Sequence, residues 1–399
     1  MKRKLSDRVI RLKPSATLAI TAKANELKAK GENVIGFGVG EPDFDTPANI
    51  KESAVRAIEA GKTKYTDVGG IKELKAAIVE KFIRDNNITY RPAEILVSCG
   101  GKHSLYNLCM AFFEPGDEVL IPAPYWVSYP PMVELAGATP VVIPSGRDKD
   151  FKIDPDDLAR YTTGATKALI LNYPSNPSGV SYTQQELSDI ARFCVKNDIY
   201  VVSDEIYEKL VYDGFKHTSI ASLSDEIRQL SIIVNGVSKT YAMTGWRIGY
   251  AAGPEALISA MTKIQSQSTT NASSIAQWAA VEAISGPQDE VERMRREFEA
   301  RRRLIVDGLN AIPGVACRNP EGAFYAFPDV SGTFGKSFSG TTITGSIGFA
   351  AFLLTEAKVA LVPGVEFGDD TCVRLSYAAS TAEITEGVKR IGEAVKKLG

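Results

Sequence analysis

Between residues 94 and 253 the sequence alternates short apolar runs with amphipathic stretches. EILVSC precedes a helical pattern from Lys102, DEVLIPAP a segment from Tyr129, and KALILNYP a helix from Thr183, with TPVVIP, DIYVVSDE, LSIIVNGV and RIGYAAG as further apolar runs. Runs this short, rich in Val and Ile and without strict polar/apolar alternation, suit strands covered on both faces. Strands interleaved with helices predict an α/β unit on a mostly parallel sheet. Such sheets gather ligands at the carboxyl ends of their strands. The residues standing there are Gly100, Gly101, Lys102, Trp126, Asn176, Asp204, Tyr207 and Lys239, a polar set that no core requires.

On either side of this unit the texture changes. Residues 18–30 have helical periodicity, and VIGFGVGEPDFDTP reads as a short strand breaking into a turn. Thr46 caps a helix with Pro47 at its first position, Gly69-Gly70 precedes a helix over 72–86, and KTKYTDVGG between them is an exposed loop carrying Tyr65. After Gly286 a charged helix over 291–309, whose MRRE and ARRR runs read as a solvated face, leads to GAFYAFPDV, a Gly/Ser/Thr-rich loop over 331–346, a helix over 347–356, VALVPG and CVRLSY. This divides the chain into a large domain, 46–290, and a smaller α+β domain made by both termini, 1–45 and 291–399.

Composition narrows the function classes. With 44% hydrophobic and 24% charged residues and a net charge of −2, the chain reads as a globular protein with neither a nucleic-acid nor a membrane partner. Five scattered cysteines without a CxxC pair fit reduced thiols in the cytoplasm, and no run reaches membrane-spanning length. The basic N-terminus lacks an apolar segment of the kind that directs secretion. The two histidines, His103 and His217, leave little from which to build a Ser-His-Asp hydrolase or a His-ligated metal site, and His217 in DGFKHTS reads as a surface residue.

The chemistry concentrates in SIIVNGVSKTYAMTGWRIGYAAG, where two apolar runs bracket Ser238, Lys239 and Arg247. A lysine held between strands can form an imine with an aldehyde, and an arginine nearby can hold a phosphate. Gly100-Gly101-Lys102 lies between a strand and a helix, where free backbone N–H groups and the helix dipole face an anion. Asp204 ends an apolar run, so its carboxylate calls for a cationic partner. Trp126 offers a flat platform, and Asn176, preceding a proline, is a candidate for a cis bond that aims its side chain inward. Taken singly, each has an ordinary reading as turn glycine, helix cap, core aromatic or surface charge. Taken together, they are the parts that bind pyridoxal 5′-phosphate.

The run SKTYAMTGWRIG resembles the pyridoxal-phosphate lysine signature of class I aminotransferases, and GEPDFDTP, KYT, GGK, NPSG, SDEIY and VRLSY stand in that family's order. The resemblance covers essentially the whole chain and is nearest to the bacterial aspartate and aspartate/prephenate aminotransferases. It implies fold-type I, a large domain on a central seven-stranded, mostly parallel sheet with a smaller α+β domain. It matches Lys239 to the Schiff-base lysine, Asp204 to the partner of the ring nitrogen, Asn176 and Tyr207 to donors on the ring oxygen, and Trp126 to the stacking aromatic. Gly100, Gly101, Lys102, Ser238 and Arg247 match the phosphate site, which Tyr65 completes from the neighbouring subunit of a homodimer. Gly40 and Arg374 match the residues holding the substrate α-carboxylate, with Asn176 and Trp126 beside them. Lys102, with Ser15 and Thr17, reads the distal carboxylate, and Lys13 is implied for prephenate. Two positions depart from the wider class: Gly236 replaces a serine, and Tyr129 stands where animal-type enzymes carry histidine. The implied activity is ping-pong transfer of the aspartate amino group to 2-oxoglutarate, with prephenate as a further acceptor. A transaminase for neutral or aromatic amino acids, and a lyase on the same fold, stay open on the cofactor residues alone. A non-catalytic regulator would need a DNA-binding module, for which residues 1–45 offer too little chain.

Overall fold

The computed structural model describes residues 5–12 and 16–399. Its central sheet has seven strands: β1 (Ile95–Ser98), β2 (Glu118–Pro122), β3 (Thr139–Ile143), β4 (Thr166–Asn172), β5 (Tyr200–Asp204), β6 (Ser231–Gly236) and β7 (Gly249–Ala252). Their spatial order is β1-β7-β6-β5-β4-β2-β3. All neighbours are parallel except those of β7, which runs antiparallel to β1 and β6. The reversal follows from the connection: β6 and β7 are joined by a polar loop without an α-helix, and a parallel return needs a long crossover.

Covering on both faces explains why the strands read as unbroken apolar runs. Along β4 the pleat sends Ala168 and Ile170 into one core with Leu105 and Leu108 of the helix Gly101–Phe112. Leu169 and Leu171 go into another core with Leu187 and Ile190 of the helix Gln184–Lys196. That second helix starts where Thr183 and Glu186 form a reciprocal capping box, an arrangement worth about 1 kcal/mol. Thr46 does not cap its helix. The hydroxyl donates to the Ala242 carbonyl at 2.7 Å and accepts from Trp246 Nε1 at 2.9 Å, tying the turn to the lysine loop, while Pro47 precedes the helix Ala48–Glu59.

A separate apolar cluster joins both ends of the chain. Ile35 and Phe37 pack there with Phe298, Ile305 and Leu309 of the 22-residue helix Asp289–Asn310, and with Leu375, Tyr377 and Ile391. Ile35–Gly36 pairs in parallel with Val359–Ala360, while Val362–Pro363, Val373–Ser376 and Tyr325–Ala326 form an antiparallel sheet in that order. The long helix is not solvated along its whole basic run. Arg301 and Arg302 are buried, donating to Asp43 at 2.7 Å and Asp213 at 2.5 Å, acids far away in sequence that a single-helix reading cannot pair. The 331–346 segment is also less open than its composition suggests, since Ser337–Phe338 and Thr341–Thr342 form a small hairpin and Ser337 exchanges backbone hydrogen bonds with Gly399. Among the described residues no helix is long and apolar enough to cross a membrane.

Candidate active site

The carboxyl ends of the strands open into a cleft of about 1150 Å³. Gly40, Gly101, Lys102, Trp126, Asn176, Asp204, Tyr207, Ser238, Lys239, Arg247 and Arg374 all line it. Lys13 and Ser15 lie outside the described residues; Thr17 falls in the helix Ala16–Ala29, and its side chain is likewise outside them.

Asp204 is the last residue of β5 and is buried. Its carboxylate accepts from the Tyr129 hydroxyl at 2.7 Å and from the Ile206 N–H at 3.3 Å. Burial pushes its pKa up to about 6 against the pull of the Tyr129 hydrogen bond. Tyr129 opens the helix Tyr129–Leu135 and packs edge-on to Trp126, so the position that departs from the animal-type histidine supplies Asp204 with its donor. The amide of Asn172, at the end of β4, secures the same corner by donating to the Asp204 carbonyl at 2.9 Å.

Lys239 follows β6, and its Nζ donates to the Gly40 carbonyl at 2.6 Å. Burial pushes this amine down to about 8; Arg374 and Arg247 push the same way, while Glu41 and Asp204 oppose them. An amine of that pKa is partly neutral at physiological pH, as a nucleophile or proton carrier must be.

At the other end of the cleft, the helix Gly101–Phe112 begins directly after β1. Its first N–H groups have no carbonyl partner within the helix, an arrangement that suits an anion. Gly100 has φ +90°, and a Cβ there would strike the Arg247 guanidinium. Arg247 donates to the carbonyls of Thr244 at 2.8 Å and Cys99 at 3.3 Å, which holds its fork over this helix start. Gly236 also has a steric reason: a Cβ would come within 2.9 Å of Gly249 Cα and 3.0 Å of the Ile248 carbonyl, so the serine of the wider class does not fit this backbone.

Arg374 is buried, donates to Asn176 Oδ1 at 2.9 Å and the Gly38 carbonyl at 2.6 Å, and leaves its Nε without a partner. No carboxylate pairs with it among the described residues, so a buried cation is left to be satisfied by a ligand. The Lys102 ammonium sits 4.7 Å from the centre of the Trp126 ring and likewise pairs with no acid among the described residues. Burial lowers its pKa, and Arg247 adds to the shift.

Two expectations need correction. The peptide before Pro177 is not cis; the cis bonds are Ala123–Pro124 and Tyr173–Pro174, and Asn176 is held instead by its N–H donating to Asn172 Oδ1 at 2.8 Å. His217 is not at the surface: its side chain is 6% exposed, stacks on Tyr173 and bonds Glu205 at 3.1 Å. Tyr65 does lie in an exposed loop; it is 91% exposed and is not part of this chain's own cleft lining. The residues that sequence reasoning missed as site members are Asn172, which stood only as the end of an apolar run, and Tyr325, hidden in the aromatic-rich GAFYAF.

Comparison with known proteins agrees with this geometry. Residues 32–391 match the family described as aminotransferase class I and II, and the chain belongs to it. It is 52% identical to an aspartate aminotransferase of Bacillus sp. (strain YM-2) over 99% of this chain and 100% of the relative. Identity is also 52% to an aspartate/prephenate aminotransferase of Cereibacter sphaeroides, covering 97% of each. The crystal structure of the aspartate aminotransferase from Rhizobium meliloti superposes with a TM-score of 0.97 at 44% identity, covering 100% of both chains. The chain is a transaminase that uses pyridoxal 5′-phosphate. Its donor set fits that cofactor: a buried carboxylate, a partly neutral lysine, an arginine at a helix start that only glycine at position 100 permits, and a flat indole.

Proposed function

We propose that this protein moves the amino group of aspartate to 2-oxoglutarate, forming oxaloacetate and glutamate, and accepts prephenate as a further oxo acid. The observation that carries the reading is the pair Arg374 and Lys102, two cations lining one cleft without an acid partner among the described residues. A neutral amino acid needs one such cation; a dicarboxylate needs two. The names of the relatives from Bacillus and Cereibacter support the same choice.

Bound pyridoxal phosphate supplies an aldehyde that takes up an amino group and a ring that draws electrons from the carbon bearing it. The chain's residues do the rest. Gly100, Gly101, Ser238 and Arg247 would hold the phosphate, Trp126 would cover the ring, and Asn176 and Tyr207 would donate to its oxygen. The negative charge of Asp204 keeps a proton on the ring nitrogen. Arg374, placed by Asn176 and Gly38, clamps the α-carboxylate beside Gly40, and Lys102 meets the distal carboxylate. Lys239 Nζ, which reaches into the cleft, would serve as the group that takes up and returns the proton at the substrate Cα. Ser15, Thr17 and Lys13 complete the substrate side of this reading.

Turnover by the purified enzyme across a panel of amino donors and oxo acids, prephenate included, tests the assignment. Lys102→Ala is expected to lower kcat/KM for aspartate roughly 10–100-fold, the cost of one charge-assisted contact, and for alanine far less. Equal losses for both would assign Lys102 to the cofactor alone and move the reading to neutral or aromatic amino acids.

The same reading makes the active unit a cytoplasmic homodimer in which 46–290 binds the cofactor and 1–45 with 291–399 forms the smaller domain. Tyr65, exposed and outside its own cleft, serves the partner's phosphate site. Tyr65→Phe is expected to weaken cofactor affinity about 3- to 10-fold, one hydrogen bond, while sedimentation still shows a dimer. A fully active monomer at assay concentration would refute the shared site.

A further inference from the structure

Tyr325 touches three parts of the site at once. It lies on the strand Tyr325–Ala326, opposite Ser376 of the strand Val373–Ser376, and Arg374 shares the Ser376 face two residues back. Its ring is 4.8 Å from the Arg374 guanidinium, and its hydroxyl is 2.8 Å from the Tyr207 hydroxyl. A Cβ on Gly40, whose carbonyl receives Lys239 Nζ, would come within 2.5 Å of that same hydroxyl. The residue is 1% exposed and shares with Tyr207 the cluster built from both chain ends; Tyr325 enters it from the C-terminal part of the chain, and Tyr207 from the segment that follows β5 of the central sheet.

The two hydroxyls differ in what else they can reach. Burial raises the pKa of both, so each keeps its single proton at neutral pH. Tyr207 has one proton to give. If it goes to Tyr325, none remains for an acceptor in the cleft; if Tyr325 donates, the Tyr207 proton is free to point there. Donation into the Tyr207 oxygen also makes Tyr207 the stronger donor, because hydrogen bonds in series polarise one another.

We infer that Tyr325 is a positioning residue for the transamination site, its hydroxyl donating to Tyr207 so that Tyr207 donates to the cofactor's ring oxygen, while its ring fixes the guanidinium plane of Arg374. The inference rests on the placement of Tyr207 at the ring oxygen proposed above. One side chain then serves two ends of the site, the hydroxyl tuning the cofactor and the ring steadying the group that clamps the substrate carboxylate. Gly40 is glycine because the relay hydroxyl occupies the space of its Cβ.

The experiment compares Tyr325→Phe, Tyr325→Leu, Tyr207→Phe and the double variant Tyr207→Phe/Tyr325→Phe, each loaded with cofactor. It reads the pH at which the bound cofactor's visible absorbance changes, along with steady-state kinetics for aspartate. A hydrogen bond to the ring oxygen withdraws electron density, so losing or weakening it raises the pH of that change. Tyr207→Phe is expected to shift it upward by about one unit and Tyr325→Phe by about half a unit. The double variant should match Tyr207→Phe alone, since Tyr325 acts through Tyr207. Tyr325→Phe keeps the ring and should leave KM for aspartate within about 2-fold, whereas Tyr325→Leu loses the ring and should raise KM about 10-fold. An unshifted or downward-shifted Tyr325→Phe beside a shifted Tyr207→Phe would overturn the relay, as would fully additive shifts in the double variant. If Tyr207→Phe itself leaves the absorbance change in place, the assignment of Tyr207 to the ring oxygen fails first, and the relay with it.

Discussion

Lys239→Ala is expected to lower turnover by at least about 10⁴-fold while the protein still folds and takes up cofactor weakly. In the proposed mechanism the lysine has two roles, covalent attachment of the cofactor and proton transfer at the substrate Cα, and the second alone is worth about 10²–10⁴-fold. Its hydrogen bonding to the fold is slight, because the Nζ donates to a single carbonyl, that of Gly40. Spectra of the variant should lack the absorbance of lysine-bound cofactor, and single-turnover mixing with aspartate should show the amino-group transfer slowed in proportion. The ionisation of the amine adds a pH signature in the cofactor-free protein. An amine held at about 8 is roughly one quarter neutral at pH 7.5, whereas an ordinary lysine at 10.5 is about 0.1% neutral. Only the neutral amine attacks an aldehyde, so the rate of cofactor uptake should climb with pH and level off above about 8. Continued climbing to pH 10 would show that burial does not tune Lys239, and normal turnover by a homogeneous Lys239→Ala preparation would remove the residue from the chemistry altogether.

The strand ends of the central sheet were legible because each is local. An apolar run stops, a polar residue follows, and in a doubly covered sheet that place opens on the cleft, which is how Asp204 and Lys239 could be picked out as cleft-lining residues from neighbours within a few positions. What stayed hidden depends on contacts across the chain. Arg301 and Arg302 read as solvated because their partners, Asp43 and Asp213, lie far off in sequence. His217 sits in a polar loop, yet Glu205, Tyr173 and Ser219 fold over it as one buried hydrogen-bonded group. Thr46 has the chemistry of a helix cap, but Ala242 and Trp246 compete for its hydroxyl and win. Tyr325 is the same case: in GAFYAF nothing distinguishes the one ring that reaches Tyr207 and Arg374 from the others that fill the core.

Asp204 carries the second large expected effect. Asp204→Asn keeps the shape of the side chain and an acceptor for Tyr129, so the fold should tolerate it, but it removes the charge that, in the proposed mechanism, holds a proton on the cofactor's ring nitrogen. Loss of one prearranged charge from a dry site costs on the order of 10²–10³-fold in kcat, and exchange of the substrate Cα hydrogen should fall equally because both pass through the same proton removal. Tyr129→Phe separates charge from support. It leaves the carboxylate in place but deletes the 2.7 Å hydrogen bond that opposes the effect of burial, so the pKa of Asp204 should rise above its value of about 6. A carboxyl with a higher pKa is protonated over a wider acidic range, and in the proposed mechanism only the ionised form supports the ring nitrogen. Tyr129→Phe should therefore lose progressively more activity as the pH falls, with its acid limb displaced upward from that of the parent enzyme. Asp204→Asn, having no charge to titrate, should be slow across the whole range. Unchanged Cα exchange in Asp204→Asn would reduce Asp204 to a structural partner of Tyr129, and a pH-independent defect in Tyr129→Phe would show that the hydroxyl holds the position of Asp204 without tuning its charge.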